Sequence, residues 1–186
     1  MNFGIQFRVR GDSFGGHFIN GISMAESESM WKCKKIIDDD DKTVYESSDG
    51  YKTTAYHIRK NDIYECYTVF ENNSDSIATL EMLSSFCIED ITADTLHRET
   101  SFWSAEGKLL SQKLTSLNME RSWSGHGIRI EKFGQIGSMP VRKWFPFVAV
   151  EDSKNGEFIG VQLYCPSSWQ IELFRYKEPL TLLGGL

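Results

Sequence analysis

The chain has 186 residues, a net charge of −6 and 40% hydrophobic residues, of which the aromatic side chains make up a large share. This length and composition are typical of a folded domain with its own core, and they exclude a disordered chain. The acidic balance disfavours a nucleic-acid partner, whose phosphates need a basic face. No apolar run approaches the ~20 residues of a membrane helix, so we expect no membrane partner.

Short alternating or β-branched segments run through the whole chain. Residues 5–10 alternate strictly between apolar and polar side chains, and residues 53–59 and 63–71 are separated by the turn-like Lys60-Asn61-Asp62. Such segments, bounded by Gly, Pro, Asn or Ser, predict strands. Further strands are predicted at residues 128–133, 144–150, 157–164 and 169–174. The pattern predicts an all-β fold, an antiparallel β-sandwich with at most one or two short helices.

Two segments are open to more than one interpretation. Leu110, Leu114 and Leu117 recur at helical spacing, but Gly107 and several serines weaken a helix over residues 105–119. The run Asp38–Lys42 has the form of a protease cleavage site, although strand-like sequence on both sides favours an exposed acidic loop.

The four cysteines have wide spacings that do not form a metal or redox motif. A chain of this length with a full core does not need a disulfide framework, so we predict free and mostly buried thiols. The N-terminus lacks a basic-then-apolar signal pattern, which favours the cytoplasm. The four histidines are scattered, and we predict no metal site and no cofactor. The residues concerned are Cys33, Cys66, Cys87, Cys165, His17, His57, His97 and His126.

Tryptophans with nearby arginines are the candidate ligand-binding residues. Aromatic rings stack on the flat C–H faces of sugars while neighbouring polar groups bind the hydroxyls. The candidates are Trp144, Trp169 and Trp123, with Arg142 and Arg175. A tryptophan in a sandwich also commonly fills the core, and the sequence leaves both roles open.

The end of the chain, residues 180–186, is apolar and glycine-rich. Chain termini are usually polar and frayed. We therefore expect a longer parent protein, with Leu180, Leu182, Leu183 or Leu186 on a surface that its missing part covers.

Several motifs occur in a fixed order between residues 72 and 186: Asn72-Asn73-Ser74, Phe102–Gly107, Gly137-Ser138, Phe145-Pro146-Phe147, Gly160–Leu163 and Gly184-Gly185-Leu186. In this order they resemble the N-terminal region of bacterial α-galactosidases of glycoside hydrolase family 36. Residues 1–70 fit only loosely. The resemblance implies one large β-sandwich domain of the supersandwich type over residues 1–186, truncated from an enzyme with a C-terminal (β/α)₈ barrel.

The resemblance also implies what the parent enzyme does. Two aspartates of the family's barrel hydrolyse terminal α-galactosides with retention, and the sandwich supports the barrel, shapes the active-site mouth and assists homo-oligomer formation. A barrel needs about 250 residues, so no catalytic residue is expected in this chain. The leading hypothesis is thus a non-catalytic domain, with its own barrel and α-galactoside sugars as partners. The alternatives are a free-standing carbohydrate-binding module and a related glycosidase of other specificity.

Overall fold

The computed structural model describes residues 1–13, 23–25, 27–104, 106–119, 129–137, 142–164, 167–175 and 179–185. In that part of the chain it contains one four-residue α-helix, one 3₁₀ helix and antiparallel strand pairs, so the predicted all-β fold is confirmed. The elements in chain order are β1 (Asn2–Phe3), β2 (Phe7–Val9), α1 (Glu28–Trp31), β3 (Cys33–Asp38), β4 (Lys42–Ser47), β5 (Tyr51–Lys60), β6 (Ile63–Asn72), β7 (Leu80–Ile91), β8 (Thr95–Thr100), β9 (Lys108–Lys113), the 3₁₀ helix (Leu114–Leu117), β10 (Arg129–Gln135), β11 (Trp144–Asp152), β12 (Glu157–Gln162), β13 (Trp169–Arg175) and β14 (Leu180–Gly185).

The chain divides into two compact units, the first formed by Met1–Glu89 and Leu183–Gly185. One of its sheets contains β3-β4-β5-β6 in that order, and β1 and β2 both pair with β7 in the other. Phe7 of β2 is fully buried between them, with its ring 5.2 Å from Phe70 and 6.3 Å from Tyr51. These contacts show that the two sheets pack face to face as a sandwich.

The second unit contains Asp90–Leu182. Its two sheets have the strand orders β12-β11-β8-β9 and β10-β13-β14, the last strand contributing Leu180–Leu182. Phe133 of β10 contacts Trp144 of β11 across the interior. This unit is therefore also a two-layer sandwich. The prediction that residues 1–186 form a single domain stays a prediction.

The β5–β6 hairpin confirms the predicted turn after Lys60. All ten residues of β5 pair with the ten of β6 without a register shift. Asn61 turns the chain with φ of 57°, a left-handed conformation that asparagine tolerates. The acidic run Asp38–Lys42 extends from the end of β3 to the start of β4, and its residues 39–41 form the exposed connection between the two strands.

The helical interpretation of residues 105–119 is wrong for the first half of the segment. Residues 108–113 form β9, which pairs with β8 from Thr95↔Lys113 to Thr100↔Lys108. Leu114 and Leu117 lie in the 3₁₀ helix that follows, where Leu114 is buried. The cross-strand ladder satisfies the backbone of β9, and this outweighs a helical spacing of three leucines.

The free thiols are confirmed for the three described cysteines, of which Cys87 is buried and Cys33 and Cys66 are half-buried. Cys165 lies outside the described residues. No helix in the described part of the chain is long and apolar enough to cross a membrane.

The apolar C-terminal strand is buried rather than exposed. Leu180, Leu182 and Leu183 are each fully buried. The expected surface for a missing part of the protein therefore depends on Leu186 alone, which lies outside the described residues.

Candidate functional site

Trp169, the first of the predicted sugar-binding residues, is a core residue. It lies in β13 and is only 2% exposed, with its ring edge-on to Phe133 at 5.9 Å. A ring with no free face cannot stack on a ligand, so the structure places Trp169 in the packing of the second unit. The sequence alone did not show whether a tryptophan fills the core or stacks on a ligand, because exposed and core tryptophans have similar sequence neighbours in this chain.

Trp144, which also contacts Phe133, is half-buried. Its ring is 5.9 Å from Phe133, and the Arg98 guanidinium lies over it at 4.8 Å. Lys143 approaches the same ring at 5.4 Å. Trp144 and Trp169 are thus brought together through Phe133, as parts of one interior aromatic cluster rather than as an exposed coplanar pair.

The remaining predicted residues are dispersed. Arg175 ends β13, where it pairs with Arg129 of β10 and is half-buried. Arg142 is exposed, and its guanidinium lies 5.7 Å from the centre of the Phe102 ring. Trp123 lies outside the described residues. Among the described members of the predicted set, Arg142 is therefore the residue that contacts an exposed aromatic side chain.

Arg98 is a buried residue that sequence reasoning missed. It donates from Nη1 to Oε1 of Glu131 at 2.6 Å and from Nη2 to the side-chain oxygen of Gln112. Its guanidinium also lies 5.1 Å from the Phe133 ring. A buried guanidinium needs a counter-charge and hydrogen-bond acceptors for its N–H groups. Arg98 therefore ties β8, β9 and β10 together. Alternation along β8 places Arg98 on the same inward face as Leu96, and this was the sequence signal that could have predicted its burial.

Phe102, Trp103 and Arg142 form an exposed surface that we call the aromatic platform. Phe102 is 45% exposed and Trp103 is 83% exposed. Their rings are nearly parallel, with 14° between the planes and 6.3 Å between the centroids. Two rings in similar orientation beside a guanidinium present an apolar face together with hydrogen-bond donors.

The loop between β8 and β9 carries the two rings of the aromatic platform. Ser104 and Gly107 both have positive φ, 64° and 70°. The Gly107 N–H donates to the Thr100 carbonyl at 2.9 Å, which closes the loop over the hairpin end. This tight closure fixes the stem of the loop and directs Phe102 and Trp103 away from the core.

A second group, the histidine relay, crosses the outer face of the sheet β12-β11-β8-β9. His97 Nε2 lies 2.9 Å from Oε2 of Glu151, and Nδ1 lies 2.8 Å from Oγ of Ser111. A carboxylate oxygen only accepts hydrogen bonds, so we assign the proton to Nε2. Nδ1 then forms the hydrogen bond with the Ser111 hydroxyl.

The histidine relay also has an aromatic neighbour. The exposed ring of Phe158 lies 5.9 Å from the His97 ring. A serine bonded to an oriented histidine is one part of an acyl-transfer site, but donors aimed at the developing oxyanion are a separate requirement and usually the larger contribution. The relay thus supplies oriented polar groups beside an aromatic ring on a solvent-facing sheet.

Burial raises the pKa of the Cys33 and Cys66 thiols to about 11 each. These groups are therefore poor nucleophiles at neutral pH. Within the described ranges, no cluster of three or more His, Cys, Asp or Glu side chains could hold a metal ion.

No protein-family model matches this chain, and neither a curated protein nor a solved structure matches it. The resemblance to family 36 α-galactosidases therefore stays a prediction from the sequence.

Proposed function

We propose that this chain is a non-catalytic β-sandwich that binds carbohydrate, as the accessory domain of an α-galactosidase-like glycoside hydrolase. The observation that carries the sugar-binding part is the aromatic platform, with its exposed, nearly parallel rings of Phe102 and Trp103 beside Arg142. The α-galactosidase part rests on the ordered motifs of the sequence. The platform takes the place of the tryptophans first considered for this role.

The physical argument begins with the exposure of Trp103. A large ring exposed to water presents apolar area that a ligand can cover. Each Å² of apolar area removed from water contributes about 25 cal/mol of favourable free energy. The flat C–H face of a pyranose fits such a ring, and the Arg142 guanidinium can donate to its hydroxyls. Phe102 adds a second, nearly parallel and partly exposed ring beside it.

The histidine relay gives a second surface of the same chemistry. Phe158 supplies an exposed ring, and His97 and Glu151 supply oriented polar atoms beside it. The two surfaces lie in the same unit of the chain. Separate substitutions at Trp103 and Phe158 therefore assign the binding to one of them.

Isothermal titration of the full chain with galactose, melibiose and raffinose tests the proposal. We expect millimolar binding that weakens at least tenfold, about 1.4 kcal/mol, in the Trp103→Ala variant. Trp31→Ala, which removes a 51% exposed tryptophan of the first unit, is the matched control and should bind as the wild type does. The absence of heat with all three sugars would contradict sugar binding.

The family part of the proposal has an independent test in the gene. A barrel-coding sequence in frame downstream of Leu186 would support the accessory-domain role. A stop codon directly after it would contradict that role and leave the free-standing module, whose binding test is unchanged.

A further inference from the structure

The strand β6 forms an open edge of the first unit's four-stranded sheet. It is ten residues long and pairs with β5 along its whole length without a bulge, and the described residues place no strand on its other side. The strand contains no Lys, Arg, Pro or Gly. Its charged residues, Glu65 and Glu71, form ion pairs with Lys60 at 2.6 Å and with Lys52 at 3.9 Å.

The other long edges of the described sheets have the features that prevent strand addition. An unpaired edge is a template for another chain, and proteins block it with lysine, with bulges or with short strands. The strand β3 contains a bulge between Lys35 and Ile37, and β9, β10 and β12 have only six or seven residues each. Basic residues also lie on three of these strands: Lys34 and Lys35 on β3, Lys108 and Lys113 on β9, and Arg129 and Lys132 on β10.

The outward face of β6 combines its two glutamates with apolar and aromatic side chains. Ile63, Tyr67 and Val69 are all exposed there. Tyr67 stacks on Tyr56 of β5, with 4.7 Å between the centroids and 16° between the planes. A strand that combines an unpaired backbone edge with exposed apolar side chains favours pairing with a further strand.

We propose that β6 pairs antiparallel with β6 of a second copy of this chain, so that the two four-stranded sheets become one. In a pairing about a two-fold axis, side chains of the same face meet only if one residue lies directly opposite the same residue of the second copy. Pairings centred on Tyr67 or Thr68 use nearly the whole strand. Centring on Thr68 would set Glu65 opposite Glu71 twice, and like charges directly opposite are destabilising.

The pairing centred on Tyr67 avoids that repulsion. It sets Glu65 opposite Val69 of the second copy and Glu71 opposite its Ile63. The two Tyr67 rings meet at the axis and continue the Tyr56–Tyr67 stack into a ladder of four rings. Strand length allows both registers, whereas charge placement and stacking both select the one centred on Tyr67, so a second copy of the chain fits this edge.

Size-exclusion chromatography with light scattering, from about 1 to about 200 μM protein, tests the association. We expect a mass that rises towards twice 21.3 kDa. Val69→Glu should remain monomeric, because it sets glutamates opposite each other, whereas Val69→Lys should dimerise at least as well by facing Glu65. A monomer at all concentrations, or equal effects of the two substitutions, would overturn the proposal.

A cysteine at the axis tests the register directly. Tyr67→Cys should form a disulfide-linked dimer on oxidation, since facing strands bring the Cα atoms to about 4.5–5.5 Å, within disulfide reach. Ile36→Cys on β3 is the matched control, because Ile36 and Tyr67 are 48% and 47% exposed. Cross-linking of Tyr67→Cys no greater than that of Ile36→Cys and the wild type would overturn this register. Neither experiment involves sugar, so its result is independent of the proposed function.

Discussion

Exposure separates two tryptophans that the sequence presents in similar surroundings. Trp169 is enclosed by the second unit's core, whereas Trp103 stands in a loop and is mostly in water. Both are aromatic residues near arginines, so local composition gives them the same interpretation. The difference arises because Trp169 lies on β13, an interior strand between β10 and β14, whereas Trp103 lies in the connection between β8 and β9.

The two tryptophans should therefore respond oppositely to truncation. We expect Trp169→Ala to lower the free energy of unfolding by about 3–5 kcal/mol, the usual cost of emptying a large core site. Trp103→Ala should change it by less than about 0.5 kcal/mol. Urea unfolding followed by circular dichroism measures both. Equal losses would show that Trp103 is also part of the packing.

Burial of two thiols leads to a prediction about reactivity. The pKa of Cys33 and of Cys66 is raised to about 11 by burial. The thiolate fraction at pH 8 then falls about 100-fold relative to an ordinary cysteine. Alkylation by iodoacetamide, mapped by peptide mass spectrometry, should be at least that much slower in the native protein than in denaturant. Fast native labelling of either peptide would contradict the burial.

At the scale of elements, close backbone approach decides where a glycine is required. A Cβ on Gly134 of β10 would lie 2.2 Å from the Trp169 carbonyl oxygen, which is part of the backbone of β13. A Cβ on Gly160 of β12 would have its nearest neighbour, Cε2 of Phe147, at 3.9 Å. Both glycines lie within strands, and the sequence does not distinguish them.

Replacement of each glycine by alanine tests this difference. Gly134→Ala must move one strand away from another, and we expect a loss of about 1–3 kcal/mol, typical of overpacking. Gly160→Ala should be neutral or slightly stabilising, because alanine restricts the unfolded chain. Thermal unfolding of the two variants and the wild type provides the comparison. Similar melting temperatures for both variants would contradict the close approach at Gly134.

A polar network at one end of β8 predicts a change of stability with pH. Hydrogen bonds from Lys113, and then from Ser153 and Thr95, hold the pKa of the Asp94 carboxyl well below its usual range. A depressed folded-state pKa stabilises the fold above the unfolded value of about 3.9, and this contribution is lost as the pH falls below it.

Asp94→Asn should thus lower the melting temperature at pH 7, with a difference from the wild type that shrinks below about pH 4. The effect is modest because the pair with Lys113 is partly exposed, and exposed pairs contribute little. Asp62→Asn, at an exposed position in the β5–β6 turn, is the control and should show no such convergence. A difference at pH 2 as large as that at pH 7 would contradict the assignment.

At the scale of the whole molecule, the alternation of side chains was enough to predict the all-β class and the β5–β6 hairpin. It did not reveal the two units, because no linker separates them and β14 contributes Leu180–Leu182 to one and Leu183–Gly185 to the other. It also missed the histidine relay, because His97, Ser111 and Glu151 are distant in sequence and meet only through the register of β8, β9 and β11. Residues that come together through strand pairing have no local signature.

The whole chain should not hydrolyse glycosides by itself. Retaining hydrolysis of an α-galactoside needs two carboxyl groups about 5–5.5 Å apart on opposite sides of the scissile bond, and in the family resembled here they belong to a barrel of about 250 residues. This chain has 186 residues, and the described part forms sandwiches with a single four-residue α-helix. We expect purified protein to release no more nitrophenol from p-nitrophenyl α-galactoside than a mock preparation does. Turnover above the mock preparation that co-purifies with the chain and falls in the Trp103→Ala variant would require a catalytic pair within these residues, and would refute the non-catalytic proposal.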